Sequence, residues 1–71
     1  MATVNVIIFV RQKQTLKFLN ERAGWATAFD EARTFQSTWE ACDFCLKNSV
    51  YKAQIVMRMG DPLYDVMIDI R

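Results

Sequence analysis

The sequence predicts an α+β fold with the element order ββαββ: a four-stranded, mainly antiparallel sheet with one helix packed on one face. Three observations carry this expectation. Apolar residues alternate with period two in the segments before and after the centre of the chain, one helix-start signal stands at Ser37, and Gly60-Asp61-Pro62 marks a turn between the last two alternating segments. The chain has 71 residues, enough for one core, so residues 1–71 read as a single domain.

The first strand is predicted over 4–11, where Val4, Val6, Ile8 and Val10 alternate with Asn5, Ile7, Phe9 and Arg11. Both of its faces are largely apolar. Gln12, Lys13 and Gln14 interrupt, and an extended pattern resumes over 15–22 with Leu16 and Phe18 on one side and Lys17 and Leu19 on the other. A hairpin with Val10 opposite Leu16, Ile8 opposite Phe18 and Ile7 opposite Leu19 matches apolar positions on both faces. Gly24 ends the second strand. The stretch from Trp25 to Phe35 has no sustained period and reads as a turn-rich connection, with Thr27 and Asp30 able to cap one short helical turn near Ala32.

Ser37-Thr38-Trp39-Glu40 is a capping box: the serine oxygen accepts the Glu40 amide and the glutamate reaches back to the Ser37 amide. The helix it starts is predicted to end near Asn48. Helical spacing puts Ala41, Cys45, Cys42, Leu46 and Trp39 on the core side, with Glu40, Asp43, Phe44, Lys47 and Asn48 opposite. Asp43 and Lys47 form a favourable i, i+4 pair. After the helix, 51–59 alternates as Tyr51, Ala53, Ile55, Met57 and Met59 against Lys52, Gln54, Val56 and Arg58. The segment 64–71 alternates as Tyr64, Val66, Ile68 and Ile70 against Asp65, Met67, Asp69 and Arg71. Pairing Met59 with Tyr64 keeps both apolar sets on one face and sets Arg58 opposite Asp65 and Val56 opposite Met67.

Composition excludes several chemistries. With no histidine in the chain, histidine-based catalytic pairs, metal sites and pH switches are absent. Nine basic and eight acidic residues leave a net charge of +1, too even to mark a strong polyanion binder. The longest apolar run, Val6 to Val10, is far short of the roughly 20 residues that span a membrane, so no membrane association is expected. Two cysteines three apart do not make a secreted disulfide framework, which points to the reducing cytoplasm.

Candidate chemistry is sparse. Cys42-Asp43-Phe44-Cys45 has the spacing of a redox pair or of half a zinc site. Zinc, however, needs four ligands, and a reactive thiol belongs at a helix N-terminus, whereas Cys42 lies five residues past the cap. Both cysteines read as small buried hydrophobes, with a thiol redox protein as the minor alternative. Asp65 and Asp69 share a strand face but stand about 13 Å apart along an extended chain, which makes them solvated carboxylates. Two glycines give no phosphate cradle. No catalytic residue, metal ligand or cofactor is therefore assigned.

Trp25, Ala32, Phe35, Ser37, Glu40 and Ala41 form the pattern W-x6-A-x2-F-x-S-x2-E-A. It resembles a pattern found in small bacterial and phage-associated proteins that share no agreed function. What the resemblance implies is architectural: an aromatic after a strand, a turn alanine, an aromatic before the cap and a capping box dock one helix on a sheet.

The function expected on these grounds is a non-enzymatic protein-interaction or self-association module, with a homodimer or a protein partner. One helix covers one sheet face, and the predicted registers leave Ile7, Phe9, Leu19, Val56 and Met67 on the other. Either a second copy covers that face, or Trp25 and the connection from Gly24 to Phe35 fold across it within one chain. The runner-up is a small single-stranded nucleic-acid module, with Phe9, Trp25 and Phe44 as stacking aromatics beside Arg11, Lys17 and Arg22.

Overall fold

The computed structural model describes residues 6–70. It is an α+β fold in which one helix packs on an antiparallel sheet of five strands, one more than the sequence predicts. In chain order the elements are β1 (Ile7–Gln12), β2 (Phe18–Leu19), β3 (Trp25–Ala26), α1 (Thr38–Lys47), β4 (Ala53–Arg58) and β5 (Val66–Ile70). The strand order across the sheet is β3-β2-β1-β4-β5. Val4, Asn5 and Arg71, assigned to strands from the sequence, lie outside the described residues.

The extra strand is β3, whose two residues pair with β2 through Phe18 with Ala26 and Leu19 with Trp25. Two residues are too few to show a period. Asn20 closes the turn between these strands: its Oδ1 accepts from the amides of Arg22 and Gly24, each at 2.9 Å. An asparagine side chain that takes two amides in this way fixes a turn without help from the strands.

The first hairpin is corrected. Arg11 pairs with Phe18, and Gln12 N donates to Lys17 O at 2.8 Å, so the register is displaced by three residues from the predicted one. An odd displacement turns every side chain of the second strand to the other face. The loop achieves this by holding Leu16 in the left-handed region, at φ 59°. Leu19 therefore belongs to the helix side of the sheet and Phe18 to the helix-free side. The predicted pairing failed because β1 is apolar on both faces, so hydrophobic matching accepts either register.

The second hairpin keeps its predicted register. Val56 lies opposite Met67, Ile55 opposite Ile68 and Ala53 opposite Ile70. The ladder stops at Met57 and Val66, and Pro62–Tyr64 forms a 3-10 turn where the sequence placed the start of the strand. Arg58 and Asp65 still face each other through their side chains.

At the helix start, Ser37 Oγ accepts from Glu40 N at 3.1 Å. Among the described residues the Glu40 carboxylate makes no return bond to Ser37. Asp43 and Lys47 pair at 2.9 Å. Helix α1 lies over β1 and β4, where Ala41 and Cys45 join Ile8, Val10, Leu19, Phe35, Val50, Ala53 and Ile55 in the core. Burying each large apolar side chain of this set contributes about 1.5–3 kcal/mol. The predicted helix faces are corrected at three positions. Trp39 and Leu46 point to solvent, at 77% and 66% exposure, while Phe44 turns inward against Phe35 with ring centroids 5.5 Å apart. Arg33 stacks on both of those rings, 4.6 Å from the Phe44 centroid.

The connection from Gly24 to Phe35 returns to the sheet. Arg33 N donates to Leu19 O and Phe35 N to Ile8 O, both at 2.8 Å. The short turn near Ala32 is present as a 3-10 turn over Phe29–Glu31, without the predicted Thr27 cap.

Candidate protein-interaction surface

Strand alternation assigns the faces. On the helix side stand Ile8 and Val10 from β1, Leu19, Trp25, Ala53, Ile55 and Met57, and then Val66, Ile68 and Ile70 along β5. The helix-free side carries Ile7, Phe9 and Arg11, then Phe18, then Gln54, Val56 and Arg58, and last Met67 and Asp69.

The residues expected to form an apolar interaction patch are separated by this arrangement. Phe9 and Val56 lie on the helix-free side but are 0% exposed. They are covered from within the chain, which is the second of the two arrangements the sequence allowed. Phe29, on the connecting segment, stands edge-on to Phe9 at 5.1 Å and to Phe18 at 5.4 Å, and Phe9 meets Phe18 at 5.6 Å. Trp25 takes no part in this cover, because it lies on the helix side. Arg58 closes the cluster with its guanidinium 5.1 Å from the centroids of both Phe9 and Phe29. Asp65 holds that guanidinium with two bonds, Nε to Oδ1 at 3.1 Å and Nη2 to Oδ2 at 2.9 Å. The hydrogen bond to Asp65 raises the Arg58 pKa further, so the group stays cationic over the rings. Leu19 is buried on the opposite side. Ile7 and Met67 keep exposed surface, and Ile7 borders an open groove of about 340 Å³ with Phe29, Ala32, Thr34 and Phe35.

The aromatic residues considered for nucleic acid do not assemble either. Phe9 is buried under Phe29, Trp25 faces the helix side, and Phe44 is on α1 against Phe35. Cys45 is buried, and burial first and nearby Cys42 second push its thiol up to about 11, so it stays protonated at neutral pH. Among the described residues, no three His, Cys, Asp or Glu side chains stand close enough to hold a metal, and no helix is long and apolar enough to cross a membrane.

Exposed apolar surface collects elsewhere, along β5. Met59, Leu63, Tyr64, Val66, Met67 and Ile68 are all exposed, six large hydrophobic residues within ten positions. Strand β5 is the last of the sheet, so among the described residues one of its backbone edges has no neighbour. Helix α1 lies over β1 and β4 and leaves Val66 and Ile68 open, at 42% and 43% exposure. Met67 on the other side is 49% exposed.

The flank of this edge is polar and connected. Arg11 Nη2 lies 3.0 Å from Met67 Sδ and donates to Gln54 Oε1 at 3.4 Å, and Gln54 Nε2 donates to Asp69 Oδ1 at 3.2 Å. Lys13 pairs with Asp69 at 3.2 Å. Gln54 first and Lys13 second hold the Asp69 carboxyl below its usual pKa. Arg11 is left poorly served: its Nε is buried without a partner, and among the described residues its acceptors are one amide oxygen and one thioether.

The sequence reading found Met67 but not the edge, because the order of strands in the sheet is not written in any one segment. No family model, curated protein or solved structure matches this chain.

Proposed function

We propose that the chain is a non-enzymatic protein-interaction module that takes its partner along the free edge of β5. One observation supports this reading: Val66, Met67 and Ile68 are exposed on both sides of a terminal strand whose outer edge has no neighbour among the described residues. Natural sheets protect such edges with charge, proline, bulges or a covering element, because bare strand edges recruit other strands. Here the only charged residue of the strand is Asp69. A partner that adds a strand gains main-chain hydrogen bonds from the edge and side-chain contacts from the alternating apolar rows.

The test is the amide spectrum of the isotope-labelled chain in concentrated cell extract. The reading predicts shifts or broadening confined to Val66–Ile70 and its flanks, abolished by Ile68→Lys. A β5 spectrum that is identical in buffer and extract and also unchanged by dilution of the chain contradicts it.

A further inference from the structure

We propose that the partner is a second copy of this chain, bound by antiparallel pairing of β5 with β5 about a two-fold axis through Ile68; this rests on the reading of β5 as the docking edge. In that register Ile68 faces Ile68 of the partner subunit, and Val66 faces Ile70 of the partner subunit. All the side chains on the helix side of the joint are then apolar, and the two sheets become one of ten strands with both helices on the same face.

Charge selects this register over its neighbours. On the helix-free side it sets Met67 opposite Asp69 of the partner subunit. Arg11 already lies against Met67 Sδ with only a thioether and a 3.4 Å amide contact, so the partner's Asp69 supplies the carboxylate that this guanidinium lacks among the described residues of its own chain. The two-fold axis makes the contact twice. An axis through Met67 instead sets Asp65 opposite Asp69 of the partner subunit, a like-charge pair, and an axis through Asp69 opposes the two Asp69 carboxylates to each other. Registers displaced by a single residue set Asp69 opposite Val66 or Ile68 of the partner subunit and break the apolar row.

The experiment is sedimentation equilibrium of the whole chain from micromolar to millimolar concentration, for wild type, Ile68→Lys, Met67→Lys and Met67→Asp, with circular dichroism to confirm that each is folded. Wild type is expected to dimerise and Ile68→Lys to remain a folded monomer. Met67→Asp puts carboxylates opposite carboxylates twice and is expected to raise the dimer Kd about tenfold, whereas Met67→Lys, facing Asp69 of the partner subunit, is expected to leave it unchanged or lower it. Equal weakening by both Met67 variants overturns the register, since that is what an axis through Met67 or a face-to-face dimer produces. A wild type that stays monomeric throughout overturns the second-copy assignment, while the extract experiment separately decides whether β5 docks a different protein.

Discussion

Ser49 occupies the position after the helix C-cap where glycine is usual. Its φ of 54° is in the left-handed region, and Val50 N reaches back to Cys45 O at 2.9 Å to satisfy a terminal carbonyl. Val50 and Cys45 meet again in the core, so the backbone bond and the apolar contact fix the same turn. A serine side chain costs strain here that glycine avoids. Ser49→Gly is therefore expected to raise stability by about 0.5–1 kcal/mol, measured by denaturant titration at constant slope.

Cys45 gives a second prediction at the same scale. Its folded pKa, pushed up to about 11, exceeds the ordinary value of 9.0, so the folded state holds the thiol proton where the unfolded state releases it. The associated stability is intact below pH 9 and is lost as pH rises toward 11. Comparing wild type with Cys45→Ala isolates the thiol's part. The stability difference between the two proteins is accordingly expected to shrink from pH 8 to pH 11, and a difference independent of pH contradicts a buried, protonated thiol.

At the scale of elements, the helix depends on its cap. Ser37 Oγ takes one of the four amides that a helix start leaves unpaired, and without a return bond from Glu40 the cap rests on the serine alone. Ser37→Ala is expected to cost about 1 kcal/mol, and Glu40→Ala much less, in thermal or denaturant unfolding. Equal losses mean that the reciprocal bond forms in solution.

The hairpins show what local sequence does and does not encode. In the second, Arg58 and Asp65 are complementary and one side of each strand is more apolar than the other, so a single register satisfies both, and the structure has it. In the first, β1 is apolar on both sides and the loop bend falls on Leu16, which carries no turn signal. That ambiguity moved Leu19 to the wrong face and concealed the role of Phe18. Strand β3 was illegible because only two residues pair.

For the whole molecule, the cover on the helix-free side was readable only as one of two alternatives. The sequence allowed Gly24–Phe35 to cross that face, but not that Phe29 and Arg58 would be the residues to bury Phe9. The exposed edge was hidden for a related reason. Val66, Ile68 and Ile70 alternate as a half-buried strand does, and nothing in that alternation says that a ten-residue helix lies over β1 and β4 and stops short of β5. Burial of a strand depends on its place in the sheet order, which is a property of all five strands together.

The central claim is that β5 is a docking edge filled by a second copy, and amide hydrogen exchange along Val66–Ile70 at micromolar and millimolar chain concentrations tests it most directly. Antiparallel pairing predicts that every second amide of β5, those directed away from β4, becomes protected as concentration rises, while the amides of β1 keep the same protection. Exchange along β5 that is independent of concentration contradicts the account.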